Sequence, residues 1–261
     1  MKNIRIIGVL LIAFFVKNAK GQDADCKLLK DHIHNQFLKI DQFNRKSQDS
    51  AISMYDSLKP ANEQLKKLLV QWIESGGFQV CPLNPVQNMK VVASPDLNLI
   101  AISWNTYLGG TLIDFASILG YKNEDGTFAS KKMESEFQGI TDNDKILIDR
   151  IYTIKNKHKQ TIYLVSSVGQ SGALTPFYNM TAYKIGKAIV ETPVFGGKIA
   201  LSTSFDYTSF HDGTYLPNDF IGIQFLQKGL YVRRPISEKN GIFNGRFEIY
   251  KFDGLKYYRI K

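Results

Sequence analysis

Residues 146–166, ILIDRIYTIKNKHKQTIYLVS, contain two runs of β-branched and aromatic residues separated by a short basic stretch. Runs of this composition favour β-strands, so the sequence predicts strands at Ile146–Ile154 and Thr161–Ser166. Lys155–Lys159 (KNKHK) would then be a solvated hairpin tip, or alternatively a contact for an acidic partner or lipid headgroups. This strand–turn–strand pattern decides the fold class, because it recurs along the rest of the chain.

The recurrence extends from residue 78 to the C-terminus. Further strands are predicted at Met89–Ala93, Leu99–Trp104, Phe177–Ile185, Ala188–Pro193, Lys198–Phe205, Phe220–Leu226, Leu230–Pro235, Arg246–Phe252 and Lys256–Ile260. Turn-forming pairs such as Asp125-Gly126 and Asp253-Gly254 lie between them. Because no long helix alternates with these strands, the pattern favours antiparallel sheets over a parallel α/β sheet.

We therefore predict that residues 78–261 form a mostly antiparallel β domain of sandwich-like architecture. The alternative is an irregular or partial propeller, because Ser94–Trp104 is similar to a propeller blade phrase. Propellers repeat such phrases about every 40–45 residues, and no fixed period of that kind occurs along this chain.

Residues 22–77 have a different character and are predicted to be helical. Leu28, Leu29, Ile33, Phe37 and Ile40 fall on one face of a first helix. A second helix is predicted around Ile52–Leu58, and a third begins at Pro60 and ends at Gly76-Gly77. The predicted fold class is α+β, with a helical N-terminal segment before the β domain.

The first twenty-one residues have the pattern of a secretion signal. A basic start is followed by the eleven-residue apolar run Ile6–Val16, and Ala19 and Gly21 are small residues placed for signal peptidase. A membrane-spanning helix needs about 20 apolar residues, so this run is too short to span. We expect a secreted or periplasmic, soluble protein that begins near Gln22 and has no later transmembrane segment. An uncleaved N-terminal anchor is the alternative.

The charge of the chain argues against nucleic acid as a partner. The whole chain carries a net +9, and the predicted signal contains four basic residues and no acidic residue, which leaves +5 for the mature chain. These positive residues are scattered along the sequence, whereas nucleic-acid binding needs a concentrated basic face.

Cys26 and Cys81 are the two cysteines of the chain. In an oxidising compartment we expect a disulfide between them, which would tie the first helix to the start of the β domain. Closing a loop of this length contributes on the order of 4 kcal/mol in the chain-entropy model.

Catalytic and metal-binding patterns are weak, so the sequence leans away from an enzyme. Ser171 lies in Gly169–Ala173, where alanine replaces the second glycine of a nucleophile elbow, and His158 lies among lysines. The four histidines have no metal-ligand spacing, and we predict neither a metal nor a cofactor. A secreted hydrolase with a fold-assembled acid pair or with Ser171 is the alternative function.

Two clusters are candidates for ligand binding. The connection at residues 206–218 is long and aromatic, and its candidate residues are Tyr207, Phe210, His211, Asp212 and Tyr215. Aromatic rings beside polar groups suit a sugar or a peptide surface. The second cluster is Trp104 and Asn105, which precede the flexible pair Gly109-Gly110.

The motif residues of this region resemble a family pattern. Ser94-x-Asp96, Ser103-Trp104-x-Thr106 and Gly109-Gly110-Thr111 are similar to the S-x-D-G, S-W-D-T and G-G-T phrases of exported bacterial proteins that have no assigned function. The chain departs from the pattern at Leu97 and Asn105, where glycine and aspartate are usual. The resemblance implies a secreted or periplasmic β-rich protein and implies no activity.

These observations lead to one main hypothesis. We expect a non-catalytic exported binding or envelope-associated protein that recognises a glycan or a protein, without nucleic acid and without a cofactor. A purely structural envelope subunit is a third possibility, beside the hydrolase.

Expression in a host with an active export pathway tests the predicted signal. N-terminal sequencing of the exported product should begin at Gln22, and Gly21→Arg should block cleavage, because signal peptidase requires a small residue there. An exported product that retains Met1 would instead indicate an uncleaved anchor.

Overall fold

The computed structural model describes residues 4–49, 55–84, 86–109, 113–133, 146–172, 175–205, 222–238, 241 and 243–261. The chain divides into two compact units, Met1–Asn84 and Pro85–Lys261, which are described separately. As predicted, the first is helical and the second consists of antiparallel sheets.

The helical unit contains α1 (Ile4–Asp49), α2 (Tyr55–Glu74) and the short α3 (Gly77–Val80). The second and third helices predicted from the sequence are one helix, α2, because Pro60 lies near its beginning, where a missing N–H disturbs little of the hydrogen-bond ladder. Helix α1 packs on α2, and Ile33, Ile40 and Leu65 are buried. No helix among the described residues is long and apolar enough to cross a membrane.

The predicted disulfide is present. Cys26 of α1 and Cys81, which follows α3, are bridged with a Cα–Cα distance of 6.4 Å across 55 residues of sequence. Both cysteines lie within Met1–Asn84, because Gly77–Val80 is helical and belongs to the first unit. The bridge therefore closes the helical unit on itself and does not tie it to the β domain as the sequence suggested.

The β unit contains three sheets built from consecutive strands. The first sheet comprises β1 (Met89–Ala93), β2 (Leu99–Asn105), β3 (Phe115–Lys122) and β4 (Phe128–Lys132). The central sheet comprises β5 (Ile146–Lys155), β6 (Thr161–Gly172), β7 (Thr175–Ile185), β8 (Ile189–Glu191) and β9 (Ala200–Ser204). The last sheet comprises β10 (Gln224–Leu226), β11 (Tyr231–Ser237), β12 (Phe243–Phe252) and β13 (Tyr257–Arg259).

The central sheet is buried on both faces. Side chains alternate between the faces of a strand, and in β6 Tyr163 and Val165 join a core with Leu99 and Leu119 of the first sheet. The intervening Leu164 joins a second core with Val232 and other residues of the last sheet. The architecture is a stack of three sheets with two cores. The strand order is consecutive in the first sheet, in β5–β8 and in the last sheet, as in a propeller blade, whereas β9 pairs with β7.

A relay of hydroxyl groups joins the first sheet to the outer edge of β5. Ile148 N–H donates to Ser103 Oγ (2.9 Å), Ser103 and Ser117 share a 2.7 Å hydrogen bond, and Ser117 donates to the Ile146 carbonyl (2.5 Å). The relay satisfies two backbone groups of an edge strand, which would otherwise be buried without partners.

A second link between these sheets involves the turn before β2. Asp96 accepts hydrogen bonds from Ser94 (2.6 Å) and from the hydroxyl of Tyr163 in β6 (2.8 Å). Burial raises the pKa of Asp96, but the hydrogen bonds from Ser94, Tyr163 and Asn98 outweigh it and the pKa lies below its usual value. Burial and the Asp96 carboxylate raise the pKa of Tyr163.

Removal of the disulfide should destabilise the helical unit selectively. In the double variant Cys26→Ser/Cys81→Ser, the free energy of unfolding of this unit should fall by about 4 kcal/mol, because the unfolded chain regains the entropy of the open loop. Urea unfolding followed by helical circular dichroism measures the change. An unchanged unfolding midpoint would contradict a stabilising bridge.

The Asp96–Tyr163 link should make the stability of the β unit depend on pH. Because the pKa of Asp96 is lowered by folding, its contribution is complete at neutral pH and is lost progressively as the pH falls below about 5. Asp96→Asn should cost about 2 kcal/mol at pH 7 and should flatten this pH dependence.

Tyr163→Phe provides the matched partner for a double-mutant cycle measured by urea unfolding at pH 7. Combined with Asp96→Ala, the cycle should give a coupling free energy of about 1 kcal/mol between Asp96 and Tyr163, because each of these single variants removes the same hydrogen bond. Strict additivity would show that the two side chains do not interact.

Candidate functional site

Of the two ligand-binding clusters predicted from the sequence, only the one formed by Trp104 and Asn105 lies within the described residues. Tyr207, Phe210, His211, Asp212 and Tyr215 lie outside the described residues. Trp104 is fully buried at the end of β2, so its indole is not presented to solvent for ligand stacking. The neighbouring Asn105 accepts a hydrogen bond from the Tyr107 N–H (2.9 Å), and Tyr107 itself adopts a positive φ of 57°.

The motif residues that carry the family resemblance have structural contacts. Ser94 and Asp96 form the turn that bonds to Tyr163, and Ser103 belongs to the hydroxyl relay. Thr106 donates to the Asp114 carboxylate at 2.6 Å and so fixes the connection after β2. These contacts account for the residues through folding, and the resemblance itself stays a prediction.

The side chain of Ser171 lies outside the described residues, as does His211. His158 is exposed at the tip of the β5–β6 turn, where its backbone N–H donates to Asn156 Oδ1 (3.0 Å). Within the described part of the chain, no group of three or more His, Cys, Asp or Glu side chains could hold a metal ion.

The structure points instead to a groove on the central sheet that the sequence did not single out. We name it the sheet groove: a cavity of about 600 Å³ between the end of β4 and the exposed part of β6, β7 and β9. Its volume is within the usual range for small-molecule sites, about 300–1,000 Å³. Sheet register defines its floor, since Ser167 pairs with Asn179 and Asn179 pairs with Ser202.

The floor of the groove is polar, although it lies on a face of the central sheet that otherwise carries apolar core residues. Phe177 and Tyr183 of β7 are buried in the core beneath the first sheet, whereas Asn179 and Thr181 between them line the groove. Ser167 is only 6% exposed, yet it also lines the groove. Asn179 and Thr181 therefore interrupt the apolar face of β7 between two residues that are buried in the same core.

Asn179 has an unusual hydrogen-bond status. Its Oδ1 atom is buried and has no hydrogen-bond partner among the described residues. A buried acceptor without a partner costs roughly 1–3 kcal/mol, so proteins rarely keep one in a central strand without a reason. A ligand that donates to this carboxamide would remove the cost.

One wall of the groove is held in place by a small network. Lys131 Nζ of β4 lies 3.3 Å from Glu191 Oε1 of β8 and 5.3 Å from the centre of the Tyr183 ring. The Tyr183 hydroxyl donates to the same Glu191 oxygen at 3.5 Å. These contacts orient Lys131 toward the groove and partly neutralise Glu191.

The rim is positively charged. Lys132 and Lys198 also line the groove and are exposed, and neither takes part in an ion pair among the described residues. With Lys131 and Glu191, the lining carries three positive charges and one negative charge, a net of +2. The groove thus combines hydroxyl and amide groups on its floor with lysine ammonium groups on its rim.

A sequence signal for the floor existed. In β7, Phe177, Asn179, Thr181 and Tyr183 occupy one face, so two polar residues interrupt an apolar series in a strand that is otherwise typical of a core. The Asn179-Met180-Thr181 stretch also matches a glycosylation sequon, and Met180 on the opposite face is fully buried. The sequence does not show which residues on this face of β7 line a groove and which are covered by the first sheet.

Comparisons with protein-family models, with curated proteins and with solved structures found no match for this chain. The class of the protein is therefore defined by its own geometry: a helical unit and a three-sheet β unit with a polar groove on the central sheet.

Proposed function

We propose that the chain is an exported, non-catalytic binding protein whose sheet groove recognises an acidic sugar residue of a glycan. The observation that carries the proposal is the Asn179 Oδ1 atom, which has no hydrogen-bond partner among the described residues and lies in a row of polar side chains that share the groove with exposed lysines. Export itself rests on the signal pattern and agrees with the disulfide.

Hydrogen-bond chemistry supports a sugar. Sugar hydroxyls both donate and accept, and the serine, threonine and asparagine side chains on the floor do the same. Ser167, Asn179 and Ser202 lie on adjacent strands about 4.8 Å apart, so neighbouring hydroxyl groups of one ring can contact neighbouring strands.

Charge supports an acidic rather than a neutral sugar. The net +2 lining attracts an anion, and Lys198 has no ion-pair partner among the described residues that would compete with a ligand carboxylate. Lys131, which contacts Glu191, contributes a second lysine ammonium group to the lining. A uronic acid has several hydroxyl groups, which the polar floor can bind, and one carboxylate, which the lysines can bind.

The Asn179→Leu variant separates a binding role from a structural role. Leucine keeps the approximate shape of asparagine and removes the unpartnered oxygen, so the free energy of unfolding should rise by about 1 kcal/mol. Affinity for oligogalacturonides should fall at least tenfold, because the floor loses its carboxamide. Isothermal titration calorimetry and urea unfolding measure the two effects.

Asn105→Leu is the matched control, because the Asn105 amide has a structural partner in the Tyr107 N–H. This variant should lower stability and leave oligogalacturonide affinity unchanged. Neutral cello-oligosaccharides should bind the wild-type protein much more weakly than oligogalacturonides. Equal affinity of wild type and Asn179→Leu for the acidic oligosaccharide would refute the proposed site.

A further inference from the structure

A second surface lies at the end of the β unit where the hairpin turns are located. We name it the turn face and define it by six turns: residues 94–98, 122–128, 155–161, 184–189, 227–230 and 253–256. Backbone hydrogen bonds bring turns of all three sheets together: Lys122 to Asn98 (2.9 Å), Glu124 to Gly186 (3.1 Å), Lys157 to Gly254 (2.7 Å) and Phe252 to Leu230 (2.9 Å).

The turn face concentrates positive charge. It contains eight lysines and four acidic residues, a net of +4: Lys122, Lys155, Lys157, Lys159, Lys184, Lys187, Lys228 and Lys256 against Asp96, Glu124, Asp125 and Asp253. None of these lysines belongs to an ion pair among the described residues. The basic residues that are scattered along the sequence are thus gathered here by the fold.

Two of the acidic side chains of the turn face accept hydrogen bonds from residues of their own turns. Asp125 accepts hydrogen bonds from Thr127, and Asp253 accepts them from the N–H groups of Leu255 and Lys256. These bonds lower the pKa of both carboxyls. Both carboxylates are therefore charged at neutral pH and are exposed, and the lysines outnumber the acidic residues of the turn face by eight to four.

Apolar side chains lie among the lysines at the tips of the turns. Leu97 is 48% exposed, Leu230 is 41% exposed and Leu255 is 38% exposed. Leu97 belongs to the first sheet and the other two to the last sheet, with the Lys155–Lys159 turn of the central sheet between them. Lysines interspersed with exposed leucines are the composition that proteins use at the interface of an anionic bilayer.

Backbone strain gives an independent reason to assign a role to these tips. Leu97 (φ 54°), Lys159 (φ 61°) and Lys228 (φ 54°) adopt the left-handed conformation, which glycine adopts without strain. All three side chains are exposed, Leu97 to 48%. The fold would tolerate glycine at each position, and the chain nevertheless keeps a leucine and two lysines there.

We infer that the turn face docks the protein on an anionic phospholipid surface, with leucines entering the interface and lysines contacting the headgroups. This inference does not rest on the proposed function of the sheet groove. Charge complementarity supplies the attraction, and the rigid turns hold the leucine tips at fixed positions on the sheet stack.

The test is co-sedimentation of the full chain with vesicles of phosphatidylcholine and phosphatidylglycerol, compared with pure phosphatidylcholine. The wild type should bind the anionic vesicles and not the neutral ones. Binding should fall steeply between about 0.01 M and about 1 M salt, as the Debye length falls from about 30 Å to about 3 Å.

The variant Leu97→Gly/Lys159→Gly/Lys228→Gly should lose vesicle affinity by roughly thirtyfold from its two lysines alone, and further from the leucine. Because each change relieves a left-handed conformation, the thermal midpoint should stay the same or rise. Retained folding with lost binding would therefore not be a consequence of unfolding.

Two control variants match this design. Asn88→Gly relieves the same kind of strain outside the turn face, and Lys59→Gln/Lys67→Gln removes two exposed charges from the helical unit. Both should bind anionic vesicles like the wild type, as should Asn179→Leu.

Three results would each overturn the inference: equal binding to neutral and anionic vesicles, wild-type binding by the triple glycine variant, or binding to a soluble acidic polysaccharide without binding to anionic vesicles.

Discussion

Burial of the central sheet on both faces is the constraint on which the β unit depends. A sheet covered on two sides must alternate apolar residues toward two different cores, and β6 does so with Tyr163 and Val165 on one face and Leu164 on the other. Its outer edge must also be satisfied, and the Ser103–Ser117 relay supplies hydrogen bonds to β5. The sheet groove is an exception to this constraint, because Asn179 and Thr181 of β7 line it between the buried Phe177 and Tyr183.

The two surfaces of interest have different physical origins. The sheet groove is a local exception in a packed core, where the Asn179 Oδ1 atom has no hydrogen-bond partner among the described residues. The turn face results from topology, because consecutive antiparallel strands place the turns of all three sheets at one end, where lysines from distant parts of the sequence meet. A site of the first kind suits a small ligand, and a site of the second kind suits an extended anionic surface.

Sequence patterns predicted much of the fold. The helical segment, strands β1 and β2 and the strands of the central and last sheets follow from apolar periodicity and β-branched composition, and the disulfide follows from the two cysteines behind a predicted secretion signal. Strands β3 and β4 were missed, because FASILGYK contains small residues and the half-exposed β4 ends in two lysines. The stack of three sheets was not predictable, since its sheets are not encoded by a regular repeat.

The candidate site was less predictable than the fold. Sequence composition favoured aromatic residues, and of these Trp104 is part of the core. The sequence alone does not distinguish Asn179 and Thr181 from other residues of a strand. They line the groove because of the way in which the sheets pack. Their significance is therefore a property of tertiary packing.

Nuclear magnetic resonance titration of the labelled protein with an oligogalacturonide would show which residues contact the ligand. The largest chemical-shift changes should occur at the Asn179 side-chain amide and at the backbone of Thr181, Lys198 and Ser202. Changes confined to residues 206–218, or no change at saturating ligand, would contradict the assignment of the sheet groove as the binding site.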